Sequence, residues 1–180
     1  MLVALWLVAC GTEVPTPSAP ADLGDAIPEK GRENPDRELG FEGMGDVRFG
    51  MDRNEVEQAL GHPLHGNSEG EGCTVLTPKP EGSVLSLMFE EGKLRRIDAD
   101  SPKIEVEGGG RVGMSAEEIR KLYPGVKEQP HKYVEGALYL IVDPPAVGDG
   151  KIVFETDAHG KVTTLRAGLS PQVEYVEGCG

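Results

Sequence analysis

Two stretches of this chain share one pattern, and that pattern limits what the chain can fold into. Residues 47–61 read VRFGMDRNEVEQALG, and residues 110–125 read GRVGMSAEEIRKLYPG. With Gly50 aligned on Gly113, Met51 falls on Met114, Asp52 on Ser115, Glu55 on Glu118 and Val56 on Ile119. Each stretch is a brief extended run, a Gly, a Met, a helix cap and one short amphipathic helix. Such a helix has about two turns and forms only when packed against something else. Self-similarity at a fixed spacing marks repeated supersecondary units. The expectation is therefore an α+β fold of two tandem units.

The local chemistry supports this reading. Asp52 with Glu55, and Ser115 with Glu118, are spaced as capping boxes, in which each side chain satisfies a backbone N–H of the other. Val56, Ala59 and Leu60 share one helical face, and Ile119, Leu122 and Tyr123 another. Gly61 and Pro63 end the first helix, and Pro124 and Gly125 the second.

Strand signals follow each helix. In the first unit they are 73–77, 84–89 and 94–99, with a hairpin turn at Glu90-Glu91-Gly92-Lys93. Leu94 and Ile97 break strict alternation, which a bulge would reconcile. In the second unit they are 133–142, 151–156 and 161–167, and 126–132 reads as a surface loop. Phe89, Gly92, Lys93, Leu94 and Ile97 match Phe154, Gly160, Lys161, Val162 and Leu165. Each unit is thus a short helix on about three antiparallel strands. The two sheets lie side by side or join as one, with the helices on one face.

Residues 1–9, MLVALWLVA, are apolar but too short to span a bilayer core about 30 Å thick. They read as the hydrophobic part of a signal segment. Leu7-Val8-Ala9-Cys10-Gly11 resembles the lipobox of bacterial lipoproteins, which implies a lipid on the thiol of Cys10 and a further acyl chain. Stable anchoring needs more than one chain. No Lys or Arg precedes the apolar run, which a start codon upstream of Met1 would supply. Residues 10–43 follow as a Pro-rich, acidic tether carrying Pro15, Pro17, Pro20 and Pro28. Residues 44–104 and 105–180 are the two folded units.

The run Arg48 to Pro63 is similar to the start of the small outer-membrane-assembly lipoproteins. The similarity lies in Gly50, Met51, Glu55, Val56, Leu60, Gly61 and Pro63. It implies a small helical element on a three-stranded antiparallel sheet, in an accessory of the machinery that folds outer-membrane barrels. The tandem arrangement resembles the beta-lactamase-inhibitor-protein architecture, which offers an enzyme inhibitor as the alternative function.

The formal charge of −13 disfavours nucleic-acid partners, which are met by clustered Lys and Arg. Apart from Cys10, Cys73 and Cys179 remain, and an even pair in an exported chain is expected to form a disulfide. Closing a loop of about a hundred residues would stabilise the fold by about 4 kcal/mol in the loop-entropy model. His62 and His65, with Glu69 and Glu71 nearby, lack a third ligand at a recognised spacing, so no metal is expected. His131 and His159 read as loop residues without a triad relation to any Ser or Cys. Gly108, Gly109 and Gly110 do not make a phosphate loop. No catalytic residue and no cofactor are expected. Gly11 after Cys10 resembles proteins exported to the outer membrane, where the folded part would face the periplasm and meet an envelope protein.

Overall fold

A computed structural model describes residues 38–66 and 72–179. Among them are two helices, α1 (Arg53–Leu60) and α2 (Ala116–Leu122). Eleven strands accompany them. They are β1 (Glu38–Leu39), β2 (Gly43–Met44), β3 (Val47–Arg48), β4 (Cys73–Leu76), β5 (Leu85–Glu90), β6 (Lys93–Ala99), β7 (Glu105–Val106), β8 (Lys127–Pro130), β9 (Leu138–Val142), β10 (Gly150–Thr156) and β11 (Val162–Leu169). The architecture is α+β with two sheets. The larger is antiparallel and seven-stranded in the order β4-β5-β6-β11-β10-β9-β8; the smaller has the order β3-β2-β1-β7.

Both helices start as their sequences require. The Asp52 carboxylate accepts from Glu55 N at 3.0 Å, and Glu55 accepts from Asp52 N at 2.7 Å. Ser115 and Glu118 make the same reciprocal pair at 3.3 and 2.8 Å. Gly61 closes α1 in the left-handed region, where a side chain would be strained. Val56 and Ile119 are fully buried against one face of the large sheet, in a single cluster with Leu87, Ile97, Leu140, Phe154 and Leu165. Leu122 departs from its expected place: it is 40% exposed, and Ala116 takes its role beside Ile119. Seven residues of helix give too narrow a stripe to bury all three apolar positions.

The segment before each cap is pinned to the strand that follows the hairpin turn. Gly50 N donates to Leu94 O at 2.7 Å, and Leu94 N donates to Met51 O at 2.8 Å. Gly113 N donates to Val162 O, and Val162 N to Met114 O, both at 2.8 Å. Both glycines have φ near +90°, a conformation that disfavours any other residue.

The alternation break on β6 is a bulge. Met88 pairs with Arg96 but Phe89 pairs with Leu94. A second bulge stands on β11, where Glu155 pairs with Thr164 but Thr156 with Val162. These registers correct the expected hairpin match. Phe154 pairs with Leu165 as Leu87 pairs with Ile97, so Phe154 corresponds to Leu87 and not to Phe89. The longer second turn displaced the comparison by two residues, which keeps a side chain on the same face.

The chain enters the fold earlier than residue 44. Leu39 is fully buried, and β1 pairs in parallel with β7, Leu39 opposite Val106. The tether expected over residues 10–43 therefore loses its last part to the core; residues 1–37 lie outside the described residues. Residues 126–132 are not a loop throughout: 127–130 form edge strand β8 on β9, with every side chain exposed. This strand pairs through its backbone and buries no apolar side chain, so apolar alternation could not reveal it. Pro130 and Lys127 suit an edge that must not recruit another strand. The strand expected over 133–142 begins only at Leu138, and Tyr133 stands 61% exposed in the preceding turn.

The three glycines before α2 serve packing. A Cβ on Gly110 would lie 2.4 Å from the Phe154 ring, and one on Gly108 would lie 2.6 Å from the Tyr123 ring. The Tyr123 hydroxyl accepts from Gly110 N at 2.9 Å and donates to Glu107 O at 2.8 Å. Burial pushes this phenol up to about 12.

Candidate functional site: the second face of the sheet

Alternation along a strand sends every other side chain away from the helices. On β6 and β11 those positions carry charge: Arg96, Asp98 and Arg166. Solvent does not reach them freely, since Arg96 is 7% and Arg166 5% exposed. Their cover is the segment 171–179 after β11, which includes one turn of 3-10 helix, Gln172–Glu174. We refer to this segment as the strap.

The arginines hold the strap by its backbone. Arg96 Nη1 donates to Gln172 O at 3.1 Å and to Tyr175 O at 2.8 Å. Arg166 Nε donates to Val173 O at 2.7 Å. Carboxylates accept from one further nitrogen of each: Arg96 Nε bonds Asp98 at 2.8 Å, and Arg166 Nη1 bonds Glu155 at 3.0 Å. Such neutralisation is what a buried guanidinium requires. Burial pushes the Asp98 carboxyl above its ordinary range, opposed by Arg96. Beyond the charges, Val173 is fully buried with Tyr139, Ile141 and Val153.

His131 joins this network. Its Nε2 lies 2.8 Å from Glu155, and its ring stacks on Tyr139 with centroids 4.6 Å apart. The Arg166 guanidinium also lies over the Tyr139 ring, 5.5 Å from its centre. The Tyr139 hydroxyl is buried and finds no protein partner. A His, two Arg, two carboxylates and a Tyr thus converge on one face, closed by the chain's own C-terminal residues.

The sequence reading missed Arg96, Asp98, Glu155 and Arg166, and placed His131 in a loop. Charged residues alternating with Ile97 and Ala99, or with Leu165 and Ala167, look like the solvent side of a half-buried sheet. The strap decides otherwise, and nothing local announces it. The one available signal was the even cysteine pair, which placed the C-terminal segment near the first sheet.

That pair is present as a disulfide between β4 and the strap, Cys73–Cys179. The capping residues Asp52, Glu55, Ser115 and Glu118 act at two separate helix starts and converge on no common site. Cys10, Glu69 and Glu71 lie outside the described residues. His65 forms a backbone bridge to Thr77, and His62 is exposed. No group of three potential metal ligands occurs among the described residues. Asp157 accepts from the N–H groups of His159 and Lys161 at 2.9 Å, which fixes the turn between β10 and β11. An open cavity of about 390 Å³ lies beside Lys127, Asp143, Val147 and Lys151, but both lysines are already paired, with Asp143 and Glu174.

No protein-family model matches this chain, and no curated protein matches it. Solved structures of related shape were found. The uncharacterized protein yfeY from Escherichia coli is 14% identical with a TM-score of 0.47, over 72% of this chain and 97% of its own. An extracellular protein containing a SCP domain from Bacillus anthracis is 15% identical with a TM-score of 0.43, over 67% of this chain and 44% of its own. The DUF4309 family protein YjgB from Bacillus subtilis is 12% identical with a TM-score of 0.41, over 66% of this chain and 78% of its own. None of these likenesses is close enough to carry a function across.

Proposed function

We propose that this chain is a lipid-anchored protein of the cell envelope, acting as a non-catalytic binding or scaffold module accessory to outer-membrane assembly. The cysteine arithmetic carries the reading. Of the chain's 3 cysteines, Cys73 and Cys179 are joined to each other, and the third is Cys10. Cys10 stands at the modified position of Leu7-Val8-Ala9-Cys10-Gly11. A disulfide suits an oxidising compartment, as does an export signal. Residues 11–37 would then hold the folded part off the outer membrane, on its periplasmic side.

The body of the module is read as a tandem duplication. The paired hydrogen bonds at Gly50 and Gly113, the two capping boxes and the two bulges support it. So does the junction of the halves, where Ile97 pairs with Ala167 and Ala99 with Leu165. Exchanging the halves turns one of these pairs into the other.

Growth of cells on labelled palmitate tests the anchor. The label is expected in the intact protein and absent from the Cys10→Ser variant; unlabelled wild-type protein sinks the reading. Crosslinking in the envelope is expected to recover one specific protein. One observation favours enzyme inhibition as a second reading: Tyr133 protrudes from a turn, as an anchor residue of an inhibitor would. In that case Tyr133→Ala abolishes the captured complex with an enzyme, whereas a scaffold partner is retained.

A further inference from the structure

The strap is built in two unequal parts. Its first part, Gln172 to Tyr175, is anchored by buried Val173 and by three guanidinium hydrogen bonds. Its second part, 176–179, has Val176 and Glu177 exposed and Gly178 and Cys179 only half-buried. The side-chain contacts that reach Glu177 come from Lys132 and Tyr133, both exposed. Exposed ion pairs contribute little to stability. The disulfide is therefore what keeps the second part down, and Cys73 and Cys179 are both partly accessible.

We propose that the strap is a redox-operated cover over the second face of the sheet. A dithiol reductant opens it: one thiolate attacks a sulfur of the Cys73–Cys179 bond and expels the other as thiolate. The second thiol of the reductant then closes on the mixed disulfide. The reductant leaves as a disulfide, and both cysteines become thiols, with two electrons and two protons transferred. Release of 176–179 uncovers Tyr175 O, and the bond from Arg96 to that carbonyl, at the end of the anchored part, is the next to open. Water then reaches Arg96, and fluctuation of the remaining anchor exposes Arg166, Tyr139 and Val153. The sheet itself stays folded, because its other face is closed by an apolar core that the strap does not touch. The inference is independent of lipidation at Cys10.

Hydrogen exchange of the full chain before and after reduction by dithiothreitol tests it. Amides of 175–179 are expected to exchange at least about tenfold faster on reduction, while β6, β10 and β11 keep their protection. An arginine-selective dicarbonyl is expected to label Arg96 faster in the reduced protein. The Cys73→Ser/Cys179→Ser variant should match the reduced protein without reductant. Unchanged strap exchange after verified reduction overturns the proposal, since the arginines alone would then hold the strap. Loss of protection in β6 and β11 together with the strap also overturns it, since the bond would then brace the whole fold.

Discussion

The two faces of the seven-stranded sheet solve the same problem with different forces. Toward the helices, Leu87, Ile97, Phe154 and Leu165 bury hydrocarbon against Val56 and Ile119. Away from them, Arg96 and Arg166 bury charge, neutralised by carboxylates and by carbonyls of the strap. The first face tolerates any apolar side chain of the right size and is destroyed by a void. The second depends on direction, because each guanidinium N–H must meet its acceptor. An apolar cover gives stability without specificity; a hydrogen-bonded one fixes a single position for the strap at little net gain.

Substitutions can break this contrast. Phe154→Ala should cost about 3–5 kcal/mol of unfolding free energy in urea denaturation, by opening a cavity beneath Gly110 and Tyr123. Arg166→Met keeps an unbranched apolar stem but removes the guanidinium donors to Val173 O and Glu155. It should cost about 1–3 kcal/mol, with faster exchange in the strap and little change in β9. A cost equal to that of Phe154→Ala would erase the distinction between the faces.

Tyr123→Phe probes the polar rivet on the apolar side. Removing its hydroxyl leaves Gly110 N without an acceptor, at about 1–3 kcal/mol. Ser115→Ala should cost about 1 kcal/mol, since a cap acts locally on α2 and on neither face of the sheet.

Acid sharpens the comparison further. The N–H of Ser115, then its hydroxyl, hold the Glu118 carboxyl below the ordinary glutamate range. A depressed carboxylate stabilises the fold above its unfolded pKa, and that contribution fades as pH falls through the lower folded value. Asp98 acts in the opposite sense: burial raises its pKa, so its ionisation opposes folding as pH rises above the ordinary carboxylate range. Glu118→Gln should therefore flatten the loss of stability on acidification, and Asp98→Asn should steepen it, in pH-dependent denaturation curves.

Much of the first face was legible in the sequence. The capping boxes at Asp52 and Ser115 and the bulge between Leu94 and Ile97 have local signatures; of the second face only the disulfide of Cys73 and Cys179 had one, by cysteine arithmetic. Leu39 was not legible as core, because one apolar residue in a polar segment has no periodicity. Strand β8 was hidden for a related reason, since KEQP buries no apolar side chain. The charged network was the least legible, because Arg96, Asp98, Glu155 and Arg166 sit at positions where exposed residues belong.

By itself the sequence determined the elements whose causes lie within a few residues: caps, turns, amphipathic helices and the alternation of the strands. Only the tertiary structure decided which face of the sheet meets water. That decision rests on segment 171–179 returning across β11 and β6. Contacts between residues so far apart along the chain leave no trace in local pattern, and a buried arginine looks like any other until its partners arrive.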